Sequence, residues 1–158
     1  MATPTVGQQA PDFTLSGLVV HDGETARSDY TLSAAKGTPV VLAFYPGDET
    51  PVCTKQLCSY ADSMEVFSGV GAQVWGISPQ DLDSHERFAR HRALSFPLLA
   101  DPDRAVIRQY GIAMPGLGLR RSVFLVDADG VLRWKDVGLI GVTYATADKI
   151  GKELARLG

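Results

Sequence analysis

The stretch Pro39-Val40-Val41-Leu42-Ala43-Phe44-Tyr45-Pro46-Gly47-Asp48-Glu49-Thr50-Pro51-Val52-Cys53-Thr54-Lys55-Gln56-Leu57-Cys58 holds both cysteines of the chain and decides its fold. Its first seven residues are an apolar run that reads as a buried strand. The residues that follow read as a helix reaching Phe67, because Leu57, Tyr60, Ala61, Met64 and Phe67 recur at three- and four-residue spacing. Cys53 therefore falls at or near a helix N-terminus. There the backbone N–H groups and the helix dipole favour an anion, and a thiolate is an anion. A proline, a hydroxyl and a thiol in Pro-x-x-x-Thr-x-x-Cys order, with a second thiol five residues on, have the look of a redox active site.

Working outward, residues 12–15 alternate, Ser16-Gly17 interrupts, Leu18-Val19-Val20 resumes the apolar character, and His21-Asp22-Gly23-Glu24 turns the chain. This predicts an N-terminal β-hairpin. Residues 31–37 read as a short turn or helical piece ending at Gly37. Residues 72–78 read as a second buried strand, and residues 81–92 as a polar amphipathic helix. A short apolar stretch, residues 96–99, precedes Asp101-Pro102-Asp103, which suits a cap or turn before a helix reaching Tyr110. Residues 111–119 read as a flexible loop. Residues 122–126 and 131–137 flank Asp127-Ala128-Asp129-Gly130, a hairpin signal, and residues 146–157 form a last helix. Strand–helix alternation followed by a hairpin and a helix predicts an α/β domain with helices on both faces of a central sheet.

A length of 158 residues fits one domain, residues 1–158. Hydrophobic residues at 45% and charged residues at 21% describe a globular chain rather than a disordered one. A net charge of -3 offers no electrostatic basis for binding nucleic acid or an anionic membrane. No apolar stretch approaches a membrane span, and the first residues lack the basic and apolar regions of a secretory signal. The expectation is a cytoplasmic protein, where a structural disulfide is disfavoured and two cysteines are catalytic, sensory or metal-binding. A metal site finds little support, since only His21, His85 and His91 are available and no Cys-x-x-Cys occurs.

The segment from Pro46 to Cys58 closely resembles the active site of the peroxiredoxins. The spacing of its second cysteine resembles the subgroup known as bacterioferritin comigratory protein or peroxiredoxin Q. Arg121, in Arg121-Ser122-Val123-Phe124-Leu125-Val126-Asp127, matches the distal arginine of that family, and the resemblance runs from Ala10-Pro11-Asp12-Phe13 to the last helix. It implies a thioredoxin-like fold with a central mixed β-sheet flanked by helices. It also implies a thiol peroxidase in which Cys53 attacks hydrogen peroxide or an organic hydroperoxide and Cys58 resolves the product. Thr50 and Arg121 would hold the peroxide and Pro46 would wall the pocket. No metal or organic cofactor is implied. The partner implied is thioredoxin or a similar dithiol reductant, and a monomer is favoured. The sequence departs from the subgroup at Val52, where glycine is usual, and at Gly47, where a basic residue is common.

Geometry adds two expectations of its own. Strand alternation puts Arg121 on the same face as Val123 and opposite Arg120. Helical residues five apart lie roughly 8–9 Å from each other at Cα, beyond the ~4.4–6.8 Å that a disulfide spans. The helix start must therefore unwind before Cys53 and Cys58 can join. Asp48 and Glu49 are expected to oppose negative charge on Cys53 if they lie close. His85 is expected on the helix surface, and Trp75 near enough to the site to report on redox state. The rival readings are packing cysteines, a disulfide carrier (which normally wants Cys-x-x-Cys) and a non-enzymatic redox sensor.

Overall fold

The computed structural model describes residues 2–114, 118–138 and 144–157. Regular structure begins with the expected hairpin, β1 (Thr14–His21) and β2 (Glu24–Thr31). Asp22 and Gly23 connect them with φ of 52° and 80°, the two positive values that a tight hairpin turn demands. β1 runs unbroken through Gly17, the residue expected to interrupt it. β2 gave no strand signal because it is a largely exposed edge whose side chains are mostly polar. A 3-10 turn, Leu32–Ala35, leads to β3 (Val40–Phe44), in which every residue is buried.

After β3 come α1 (Pro51–Asp62), α2 (Met64–Ser68), β4 (Gln73–Ser78), α3 (Leu82–Arg92), β5 (Leu98–Ala100) and α4 (Ala105–Gln109). The one helix expected to reach Phe67 is thus two. Ser63 leaves helical geometry with φ -112° and ψ 20°, and Phe67 of α2 still enters the core. The loop expected over residues 111–119 contains a two-stranded ladder, β6 (Ala113–Met114) with β7 (Gly118–Leu119); residues 115–117 lie outside the described residues. β8 (Ser122–Val126), β9 (Leu132–Val137) and α5 (Ala147–Ala155) complete the order.

The large sheet has the strand order β2-β1-β5-β4-β3-β8-β9. β3 runs parallel to β4, and β4 to β5, while β8 lies antiparallel to β3, so the sheet is mixed. Alternation along β3 sorts the core into two layers. Val41 and Ala43 join Cys53, Leu57, Phe67, Phe88 and Ile150 beneath α1, α2, α3 and α5. Val40, Leu42 and Phe44 join Phe13, Trp75, Ile107 and Tyr110 on the face covered by the 3-10 turn and α4. Both cysteines therefore belong to one layer only, on the face that carries the longer helices.

Gly17 owes its place to packing. A Cβ there would lie 2.8 Å from Cδ1 of Tyr30 and 3.0 Å from the Leu98 carbonyl oxygen, wedged between β2 and β5. Gly17→Ala should therefore destabilise the protein by about 1–3 kcal/mol through overpacking. The expected reading is a lower urea midpoint with an unchanged slope; an unchanged midpoint would show that the Tyr30 ring yields freely.

Candidate active site

The chain leaves β3 with the ladder intact, since the Tyr45 N–H donates to the Ile77 carbonyl at 3.0 Å. Residues 45–50 then cross to α1. Pro51 opens the helix, where its missing N–H costs nothing. Thr50 occupies the N-cap position, but its hydroxyl does not cap: it donates to the Gly47 carbonyl at 2.9 Å and so tightens the loop. The Thr50 carbonyl accepts from the Thr54 N–H at 2.8 Å, closing the first turn of α1 around Cys53. Cys53 is fully buried. Pro46 is half-buried and Thr50 exposed.

Arg121 is nearly buried, whereas Arg120 beside it is exposed. The Arg121 Nη1 donates to Gln56 Oε1 at 2.6 Å. Gln56 Nε2 donates to the Tyr60 hydroxyl at 3.1 Å, and that hydroxyl donates to the Ala145 carbonyl at 2.5 Å. Cys53, Gln56 and Tyr60 recur at helical spacing on the buried side of α1. The guanidinium is thereby tied to the face of α1 that carries the buried thiol. Sequence reasoning missed Gln56, because a glutamine between two cysteines reads as a surface residue until its phase on the helix is fixed.

Cys53 and Cys58 are both free thiols. Cys58 is partly buried one turn further along α1. Burial pushes its thiol above the ordinary range; the Arg92 cation pulls the other way, and Asp62 and Glu49 add to the rise. The folded helix thus makes Cys58 a weaker source of thiolate than an exposed cysteine.

The loop is held by its acidic residues. Tyr45 donates its hydroxyl to Asp48 Oδ1 at 2.7 Å, Ser84 Oγ donates to Asp48 Oδ2 at 2.7 Å, and His85 Nδ1 lies 2.7 Å from the same oxygen. The Asp48 N–H donates to Gln80 Oε1 at 2.5 Å. Gly47 permits this approach, because a Cβ there would sit 3.0 Å from that same oxygen. His85 is thus fully buried and not the surface residue its helix suggests. It shares the inward face of α3 with Phe88 and Ala89, at the spacing that defines a helix face. Glu49 faces outward, with Oε2 2.7 Å from His91 Nδ1 and Oε1 accepting from Arg92 Nε at 3.0 Å. Burial raises the Glu49 carboxyl, but the bonds from His91 and Arg92 outweigh it and hold the group below its usual range. Trp75 packs against Phe13 and Tyr30 on the sheet face away from Cys53; Trp134, which packs against the Cys53 layer, is the better-placed fluorophore.

Residues 6–135 match the model of the AhpC/TSA family. The chain belongs to the AhpC/TSA family. Within the family it is 41% identical over 133 residues to a chloroplastic peroxiredoxin Q of Populus jackii, covering 80% of this chain and 57% of that protein. It is 37% identical over 145 residues to the peroxiredoxin bcp of Coxiella burnetii, covering 86% of this chain and 91% of that one. A solved peroxiredoxin Q of Xanthomonas campestris superposes with a TM-score of 0.77 at 28% identity, covering 91% of this chain and 90% of the other. The chain spans 57% of the length of the matching peroxiredoxin Q proteins of Populus jackii and Triticum aestivum. The fold is the thioredoxin-like one that the sequence resemblance implies. Among the described residues no helix is long and apolar enough to cross a membrane.

The environment of Cys58 can be read directly. Cys53→Ser leaves Cys58 as the sole thiol, and its alkylation by iodoacetamide should rise with pH through a midpoint above that of the same chain unfolded in urea. Arg92→Ala should move the native midpoint higher still. A native midpoint at or below the unfolded one would contradict the burial effect.

Proposed function

We propose that the protein is a thiol peroxidase that reduces hydrogen peroxide and organic hydroperoxides, with Cys53 as nucleophile and Cys58 as resolving thiol. The observation that carries this reading is one fully buried thiol in the first turn of α1, with the Arg121 guanidinium tied to the same helix face. Membership of the AhpC/TSA family supports it. The Cys53 thiolate attacks one peroxide oxygen; the O–O bond breaks, a sulfenic acid forms, and the other oxygen leaves as alkoxide or hydroxide that takes up a proton. Arg121, the N–H groups at the helix start and the Thr50 hydroxyl, which turns from the Gly47 carbonyl to donate to the peroxide, stabilise the charge moving onto the leaving oxygen. Pro46 walls the site without presenting a donor.

The Cys58 thiol then attacks the sulfenic sulfur, forming the disulfide and releasing water. This requires the first turns of α1 to open, because residues five apart in a helix lie roughly 8–9 Å from each other and a disulfide spans about 4.4–6.8 Å. Opening also removes the burial that raises the Cys58 thiol above its ordinary range. A thioredoxin-like dithiol supplies the two electrons that reset both thiols. The whole chain works as one domain, as a monomer, in the cytoplasm, with no metal or organic cofactor and no nucleic-acid or membrane partner. A sensor or disulfide carrier is not favoured, since the relatives matched are peroxiredoxins.

Two experiments test this reading. In stopped-flow mixing with hydrogen peroxide, Cys53→Ser should lose all peroxidase turnover. Cys58→Ser should consume one equivalent and stall as a sulfenic acid, detected by mass spectrometry. Turnover by Cys53→Ser, or continued thioredoxin-driven turnover by Cys58→Ser, would overturn the assigned roles. Replacing the hydroxyl by a methyl in Thr50→Val should slow Cys53 oxidation by about 100-fold, the loss typical of one transition-state donor, whereas Thr50→Ser should stay near the parent rate. Equal rates in the two variants would remove Thr50 from the mechanism.

A further inference from the structure

Asp48 is anchored more heavily than a loop residue needs to be. Its side chain is 3% exposed, and that of His85 is fully buried. The carboxylate is met by Tyr45, Ser84 and His85, and the backbone N–H by Gln80, so α3 and the segment before it grip this one residue from several sides. The imidazole orientation is set from behind. His85 Nε2 lies 2.9 Å from the Leu99 carbonyl and Nδ1 2.7 Å from the Asp48 carboxylate; both partners can only accept, so the ring presents a hydrogen at each nitrogen and Nδ1 donates to Asp48. Buried polar groups in such a network are costly to disturb, and fully satisfied ones fix a single geometry.

What the anchor fixes is the loop that feeds the site. Asp48 lies two residues before Thr50 and five before Cys53. The Thr50 hydroxyl is bonded to Gly47 and the Thr50 carbonyl starts α1, so the position of residues 47 and 48 passes directly to both groups. Tyr45, bonded to the same carboxylate, shares the core layer of Cys53. Burial first, and then Asp48, raise the Tyr45 phenol well above its usual range, with Cys53 adding to the rise, so Tyr45 remains a donor to Asp48.

We propose that His85, through Asp48, is a positioning residue for peroxide reduction: its Nδ1 locks the loop that sets Thr50 and the start of α1 against Cys53. The inference rests on the peroxidase reading above. His85 touches no substrate and transfers no proton; it acts by holding geometry, to which reacting groups in line are sensitive.

The two ring nitrogens make the idea separable from plain packing. His85→Asn places an amide N–H near the position of Nδ1 and keeps a donor to Asp48. His85→Gln places one near Nε2, keeping the bond to Leu99 and losing Asp48. The measurement is the second-order rate of Cys53 oxidation by hydrogen peroxide, from rapid-quench alkylation and mass spectrometry, with the melting temperature of each variant alongside. Between about 10- and 100-fold slowing is expected for His85→Gln, in the range of a small misplacement of reacting groups, with His85→Asn restoring at least about a third of the parent rate at a similar melting temperature. Equal slowing in both variants, or parent rates in both, would overturn the proposal. If neither variant folds, Ser84→Ala decides: it removes one donor to the same oxygen without emptying the core. It should slow oxidation by about 2- to 10-fold, the equivalent of one hydrogen bond, and a parent rate there would overturn the proposal. A parent protein no faster than a free thiol would instead overturn the peroxidase reading, and this inference with it.

Discussion

A single α-helix cannot bring residues five apart into disulfide contact, and the arrangement around Cys53 and Cys58 follows from that limit. The thiols share α1, so one stays buried against the sheet while the other lies partly exposed a turn further on. If both chemical steps occur, the helix start must be ordered for the first and open for the second. An ordered start needs anchors on the residues just before it, and the loop 45–50 has them. An opening start needs bonds that are few and cheap to lose. Pro51 donates no bond, and the Thr54 N–H to Thr50 carbonyl contact is the one that closes the first turn.

The sheet supplies the fixed reference for this motion. β3 is buried along its whole length and pairs with β4 on one side and β8 on the other. β3 delivers the loop that leads to Cys53, and Arg121 immediately precedes β8, so the segments bearing thiol and guanidinium adjoin neighbouring, hydrogen-bonded strands. The Arg121–Gln56–Tyr60–Ala145 series then stitches the middle of α1 to the strand entry and to the segment before α5. Those contacts lie beyond the first turn, so the start of the helix can change while its middle stays docked.

Most of this was legible in the chain because it is written in local patterns. The apolar run of β3, the phase of Leu57, Tyr60 and Phe67, and the turn at Asp22-Gly23 each specify an element from neighbouring residues alone. Strand alternation put Arg121 with Val123, and the guanidinium does meet α1. What escaped notice depends on contacts between distant segments. β2 is recognisable as a strand only from its pairing with β1, since its own side chains are mostly polar and exposed. Gly17 looks like a break until the ring of Tyr30 is seen to occupy the space of its missing side chain. His85 sits in a helix of low hydrophobicity, and nothing in Ser84-His85-Glu86 announces that its partner is Asp48, 37 residues earlier. Trp75, expected near the site, lies on the other face, because a strand residue buried on either side of a sheet gives the same apolar signal.

The two acidic residues of the loop divide its labour by depth. Asp48 is held inside by a satisfied polar network, and breaking such a group from its partners leaves buried charge and donors exposed to apolar surroundings. Glu49, the next residue, is held by His91 and Arg92 at the surface, where solvent screens the attraction and release costs little. Glu49 also carries φ of 61°, a left-handed conformation that a side chain adopts at some cost and that unwinding would relieve. The anchor at Asp48 is followed by a weak clasp and a strained backbone at the one residue Glu49, just before Thr50. Were the helix start to open as the proposed resolving step requires, the boundary between the part of the loop that stays and the part that opens would fall between residues 48 and 49. Such an opening would let Cys53 approach Cys58 while Pro46, Gly47 and Asp48 keep their places.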